Sequence, residues 1–62
     1  MSIAKTVEEY IMSHPSVKDC LKDDLVNFSS LSRKIASECN LSKKDFDAIL
    51  IACRRFQRKI KQ

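Results

Sequence analysis

The sequence predicts an all-α fold: one compact domain of four helices. Three observations carry this. The 62 residues contain no Gly and a single Pro, Pro15, whereas tight β-hairpins need residues that accept positive φ. Apolar residues recur at spacings of three and four in four successive segments. Each segment is bounded by residues that cap or break helices. Apolar residues make up 44% of the chain, too many for a disordered one.

Helix 1 is predicted over residues 3–12. Ile3, Val7, Tyr10 and Ile11 fall on one helical face, and Ser2 is placed to cap the start. Ser13-His14-Pro15 ends it, because the residue before proline is pushed out of the α region. Helix 2 is predicted over 15–22. Pro15 suits a first helical position, where no N–H is needed. Val17, Cys20 and Leu21 form its apolar edge. Asp23 and Asp24 oppose the negative end of the helix dipole, so the helix should stop there.

Helix 3 is predicted over 28–39, with Asn27 as its N-cap. Val26 and Leu31 bracket that cap as a hydrophobic staple. Phe28, Leu31, Ile35 and Cys39 supply the stripe. Helix 4 is predicted over 43–60, roughly 27 Å long at the standard rise. Ser42-Lys43-Lys44-Asp45 reads as a capping box with Asp in the usual Glu position, and Leu41 with Phe46 forms its staple. Phe46, Ile49, Leu50, Cys53, Phe56 and Ile60 mark one continuous face. No linker, internal repeat or low-complexity segment divides the chain, so residues 1–62 form a single domain.

Composition removes several function classes. Without Gly there is no phosphate-cradling loop. Cys20, Cys39 and Cys53 are odd in number and widely spaced, with no signal peptide before them. Free thiols in a cytoplasmic setting are expected, not a disulfide framework. One His and no Cys-x-x-Cys pair leave no metal-ligand set, and no cofactor is implied. The apolar run 48–53 is too short to cross a membrane. No enzyme is expected: His14 sits in a turn before Pro15, no Ser has a His-acid pair beside it, and Cys39, although next to Lys43-Lys44, is expected to pack at a helix end.

Charge is unequally shared. Residues 1–31 carry three Lys against five acids; residues 32–62 carry nine Lys and Arg against three acids. The formal net charge is +4 and the pI about 9.2. An anionic partner would therefore meet the second half. The plainer alternatives are that the two halves attract each other or that the charges form a solvated surface.

The junction of helices 3 and 4 reads Ile35-Ala36-Ser37-Glu38-Cys39-Asn40-Leu41-Ser42-Lys43-Lys44-Asp45-Phe46. Ala36 is small where two helices must cross closely. Asn40 tolerates left-handed φ in the turn. Leu41 follows as an apolar residue that tucks under, Ser42 opens the next helix, and Phe46 locks the pair. Over residues 28–55 the chain resembles the helix-turn-helix DNA-binding superfamily, which lays its second helix in the major groove. That resemblance implies a helix-turn-helix-like core and a regulator of transcription bound to double-stranded DNA. It points Ser42, Lys43, Lys44, Asp47, Ala48 and Ile51 into the groove. Asp45 and Asp47 depart from the pattern, since acids at the front of a reading helix repel phosphate. Asp45 is accounted for as the cap-box partner, but Asp47 only if it accepts from cytosine. Arg54, Arg55 and Arg58 are the accompanying cations for phosphate.

The run from Glu9 through Ile35, with His14-Pro15-Ser16-Val17 and Val26-Asn27-Phe28-Ser29 within it, resembles a small helical domain of archaeal proteins that precedes a ligand-sensing ACT domain. That resemblance implies a regulatory setting. No sensing domain follows within these 62 residues.

The apolar run at 48–53 wraps around helix 4, and Ile51 points away from the main apolar face. Either helix 4 is central and covered on most sides, or its outer side meets another chain. A homodimer would bury Ile51 and Ala52 and present two recognition helices, whereas the two residues singly exposed would need no partner. The alternative function is thus a protein-interaction or homodimerisation module with no nucleic acid.

Overall fold

A computed structural model describes residues 2–62. Four α-helices follow in order: α1 (Ile3–Met12), α2 (Pro15–Lys22), α3 (Phe28–Glu38) and α4 (Phe46–Ile60). A single 3-10 turn, Lys43–Asp45, leads into α4. The caps predicted for the first and third helices form. Ser2 Oγ accepts from the Lys5 amide at 3.3 Å, and Asn27 Oδ1 accepts from the Ser30 amide at 3.0 Å. Helix α3 ends at Glu38, with Cys39 as its C-cap, one residue short of the predicted end.

Two helices end by the same device. Asn40 has φ +55° and Asp24 has φ +59°. After Asn40, the Leu41 amide bonds the Ala36 carbonyl at 2.8 Å; after Asp24, the Leu25 amide bonds the Cys20 carbonyl at 2.8 Å. Both are Schellman motifs, which satisfy carbonyls that the helix leaves unpaired. Asn and Asp fill the left-handed position that Gly would otherwise take. This is how a chain without Gly turns twice.

Helix α4 is the central element. Helices α1 and α3 pack along it, and α2 touches it less extensively. The core comprises Val7, Tyr10, Ile11, Leu21, Leu31, Ile35, Ile49, Ala52, Cys53 and Phe56. Every helix contributes, so no pair of helices could bury its apolar face without the others. Phe46, Leu50 and Ile60, predicted on the main apolar face of helix 4, are half-buried at its margins.

Polar contacts fix the register of α4. Gln57 Nε2 donates to the Leu21 carbonyl and to Asp24 Oδ1, both at 2.8 Å, and Lys61 Nζ reaches Asp24 Oδ2 at 2.6 Å. The end of α2 and the end of α4 are thereby stapled together. On the other side, the Tyr10 hydroxyl donates to Glu38 Oε1 at 3.2 Å and joins α1 to α3. Burial, more than the Glu38 contact, raises the Tyr10 pKa. The ring of His14 stacks on Tyr10 with centroids 4.0 Å apart, closing the turn between α1 and α2.

The Lys61 contact holds the Asp24 carboxyl below the usual carboxylate range, and Lys34 does the same for Glu38. A carboxyl with a lowered folded pKa favours the folded state above its unfolded pKa, near 4. That contribution disappears as pH falls through the folded value. The urea midpoint should therefore drop below about pH 4. Asp24→Asn keeps the left-handed turn and removes the ion pair. It should flatten part of this acid dependence when both proteins are followed by circular dichroism.

Ser32 is a polar residue with no exposure, and its hydroxyl has no hydrogen-bond partner. The nearby Cys53 thiol falls short of hydrogen-bonding geometry with it; burial pushes that thiol pKa up, and the weak pull of the hydroxyl only partly offsets this. A desolvated hydroxyl without a partner costs about 1–3 kcal/mol. Ser32→Ala keeps the helix and deletes the cost. It is expected to raise the thermal midpoint by about 5 °C, on the scale of about 4–8 °C per kcal/mol for so small a domain.

Candidate functional site

The site is built on the α3–turn–α4 unit. Three backbone facts place it. Asn40 breaks the chain between the helices with its left-handed φ. Ser42, extended at ψ 153°, redirects it and accepts the Lys44 amide on its side chain at 3.3 Å. The Asp45 amide then bonds the Ser42 carbonyl at 3.0 Å and starts the 3-10 turn.

Two details depart from the sequence reading. Helix 4 does not begin as an α-helix at residue 43: a 3-10 turn occupies 43–45 and the α-helix begins at Phe46. The Asp45 side chain makes no capping bond, so the box is half-formed, with Ser42 alone capping. A 3-10 turn offers Ser42 the amide two residues on, and this Asp is one methylene shorter than the Glu that closes the usual box.

The structure brings the proposed groove-facing residues onto one side. Ser42, Lys43, Lys44, Asp47, Ala48, Ile51, Arg54, Arg55 and Arg58 are all exposed. Neither α1 nor α2 roofs them. Ile51 keeps 50% of its surface in solvent among these cations. Ala52, assigned with Ile51 to a dimer interface, is instead a core residue at 7% exposure. One residue turns the helix by 100°, enough to carry Ala52 from the outer face onto the packed one.

The cations divide into two groups. Lys59 pairs with Glu8 at 3.9 Å and Lys61 with Asp24 at 2.6 Å, so the last turn of α4 does attract the acidic front half. Lys34 is occupied by Glu38 at 2.8 Å. Among the described residues, Lys43, Lys44, Arg55 and Arg58 have no acidic partner. Arg54 takes a third course: its guanidinium lies over the Phe28 ring, 5.5 Å from the centroid. A stack of this kind is worth about 0.5–1 kcal/mol at an exposed site and holds the side chain against α3.

Asp47 is the acid on the exposed outer face of α4. Its position in the first turn complements the positive end of the helix dipole, which gives it a structural role there.

Sequence reading missed Asp24, Gln57 and Phe28 as positioning residues. For Asp24 the signal was present: an Asp after a helix, followed by an apolar Leu25, is a left-handed C-cap pattern. Gln57 showed only as a polar residue beside the apolar stripe, and its two acceptors lie more than thirty positions away. Nothing local encodes the Arg54–Phe28 stack.

Among the described residues, no three His, Cys, Asp or Glu side chains converge as a metal site, and all three cysteines are unpaired. No helix among them is long and apolar enough to cross a membrane. Neither a protein-family model, nor a curated protein, nor a solved structure matches this chain.

Proposed function

We propose that this domain is a small cytoplasmic regulator that binds double-stranded DNA through α4 as a helix-turn-helix-like reader. One observation carries the reading. Lys43, Lys44, Arg55 and Arg58 stand exposed on the outer side of the unit without acidic partners among the described residues, while the remaining cations of α4 are engaged within the chain. Fifteen residues of α4 span about 22 Å. The major groove, about 12 Å wide, admits such a helix.

In this mechanism Lys43 and Lys44 meet phosphate or guanine edges at the start of the unit. Arg55 and Arg58 neutralise phosphate further along. Ser42 and Asp47 offer polar contacts to bases, and Ala48 and Ile51 face thymine methyls. The role is binding, with no catalytic step. Unpaired thiols support a reducing compartment.

Anisotropy of a labelled duplex, titrated across salt concentrations, tests this. Four phosphate contacts predict a slope of log K against log salt of about −3 to −4. No binding at low salt, or binding that ignores salt, contradicts the reading.

Ile51 supports a second reading, a homodimer or protein-interaction module without nucleic acid. Its half-exposed apolar surface would be the contact. Under that reading Ile51→Glu lowers the mass seen by sedimentation. An unchanged monomer at millimolar concentration excludes the self-association form.

A further inference from the structure

A groove of about 610 Å³ lies where α3 ends and α4 begins, outside the core. Its floor is apolar: Ala36, Leu41 and Phe46, all partly buried. Its rim carries Arg33, Ser37 and Lys43, all exposed. The turn geometry creates it. The bond from the Leu41 amide to the Ala36 carbonyl folds the chain back against α3. Ala36 then presents only a methyl group where a larger side chain would fill the space. Leu41 and Phe46, read from sequence as the residues that lock the two helices, leave part of their apolar surface in this groove.

We propose that the groove binds an amphipathic monocarboxylate, such as a medium-chain fatty acid. Chemistry selects this occupant, and the groove is large enough to admit it. No acid lines the groove, and neither Arg33 nor Lys43 has an acidic partner among the described residues. Arg33 makes one side-chain bond, 3.4 Å to the Ser30 hydroxyl, which leaves most of its fork available. A guanidinium takes a carboxylate in two parallel hydrogen bonds, and Lys43 adds a second charge. An alkyl chain fits the floor, which offers it no polar competitor. The volume lies within the range of small-ligand sites, about 300–1,000 Å³. Three floor residues are far fewer than the about 20–30 per side of a stable protein interface, so a folded partner is disfavoured.

The inference does not depend on DNA binding, and its test contains no nucleic acid. Octanoate is titrated into the isotopically labelled domain and followed by amide chemical shifts. Octan-1-ol, with the same chain and no charge, serves as the comparison. Shifts should centre on residues 33–46, with octanoate binding at least tenfold more tightly than the alcohol. Arg33→Gln, an exposed change that leaves the core untouched, should remove most of that advantage and leave alcohol binding as it was. Ala36→Met, which fills the groove, should weaken both. The proposal is overturned by any of three results: no shifts at millimolar octanoate, shifts centred outside the groove, or an octanoate affinity that Arg33→Gln does not change.

Discussion

Reversing Lys44 and Arg55 together to Glu is expected to abolish measurable DNA binding while leaving the fold intact. Both side chains are exposed and neither has an acidic partner among the described residues. The double change takes the formal net charge from +4 to zero. Each lost phosphate contact removes one counterion-release contribution, and each new carboxylate repels the backbone. Affinity near 0.1 M salt should fall by at least about 100-fold, and the salt slope should shrink by about two. Stability moves little, or upward, because Glu at position 44 lies beside the positive end of the α4 dipole, where an acid gains about 0.3–1 kcal/mol. Anisotropy with a labelled duplex reads the first effect and thermal unfolding reads the second. Unchanged DNA affinity would remove the outer face of α4 from the interface.

Ile49→Ala is expected to bring the domain close to unfolding, whereas Ile51→Ala is nearly silent. The two residues are of one type and two positions apart. Ile49 has no exposure and lies at the centre of the core; Ile51 keeps half its surface in water. Deleting three buried carbons costs the transfer energy plus the cavity, about 2–5 kcal/mol. A domain of this length has a total of roughly 3–9 kcal/mol to lose, from the usual stability per residue. Urea unfolding should show Ile49→Ala losing about 3 kcal/mol, and Ile51→Ala changing by less than about 0.5 kcal/mol. Comparable losses at both positions would mean that Ile51 is covered by something, and a second chain would be the first candidate.

The fold was largely legible because its information is local. Spacing, Asn27, Pro15 and Ser42 marked where helices begin, and the helices lie there within a residue or a turn. The left-handed turn at Asn40 was legible for the same reason: its side chain is the chemistry the backbone position demands. The exposed cationic face also followed from periodicity, since 100° per residue places Ile51 and Arg58 opposite Ile49. What stayed hidden was long-range. Asp24 reads as an acid that stops α2, yet its partners are Gln57 and Lys61 at the far end of the chain. Ala52 was legible by contrast: at 100° per residue it falls beside Ile49 and Phe56, on the packed side of α4, and its assignment to the outer face with Ile51 overlooked that rotation. The groove at Ala36 was hidden as well. A small residue at a crossing allows close contact or leaves a gap, and local sequence does not distinguish them.

The central claim is that the free cationic side of α4, not the acidic front half, meets phosphate. Amide shift mapping with an unlabelled duplex at low salt tests it most directly. The account predicts perturbations clustered at Lys43, Lys44, Asp47, Ile51, Arg55 and Arg58, with Glu8, Asp19 and Asp23 quiet. Perturbations spread over α1 and α2, or none at any duplex concentration, would contradict it.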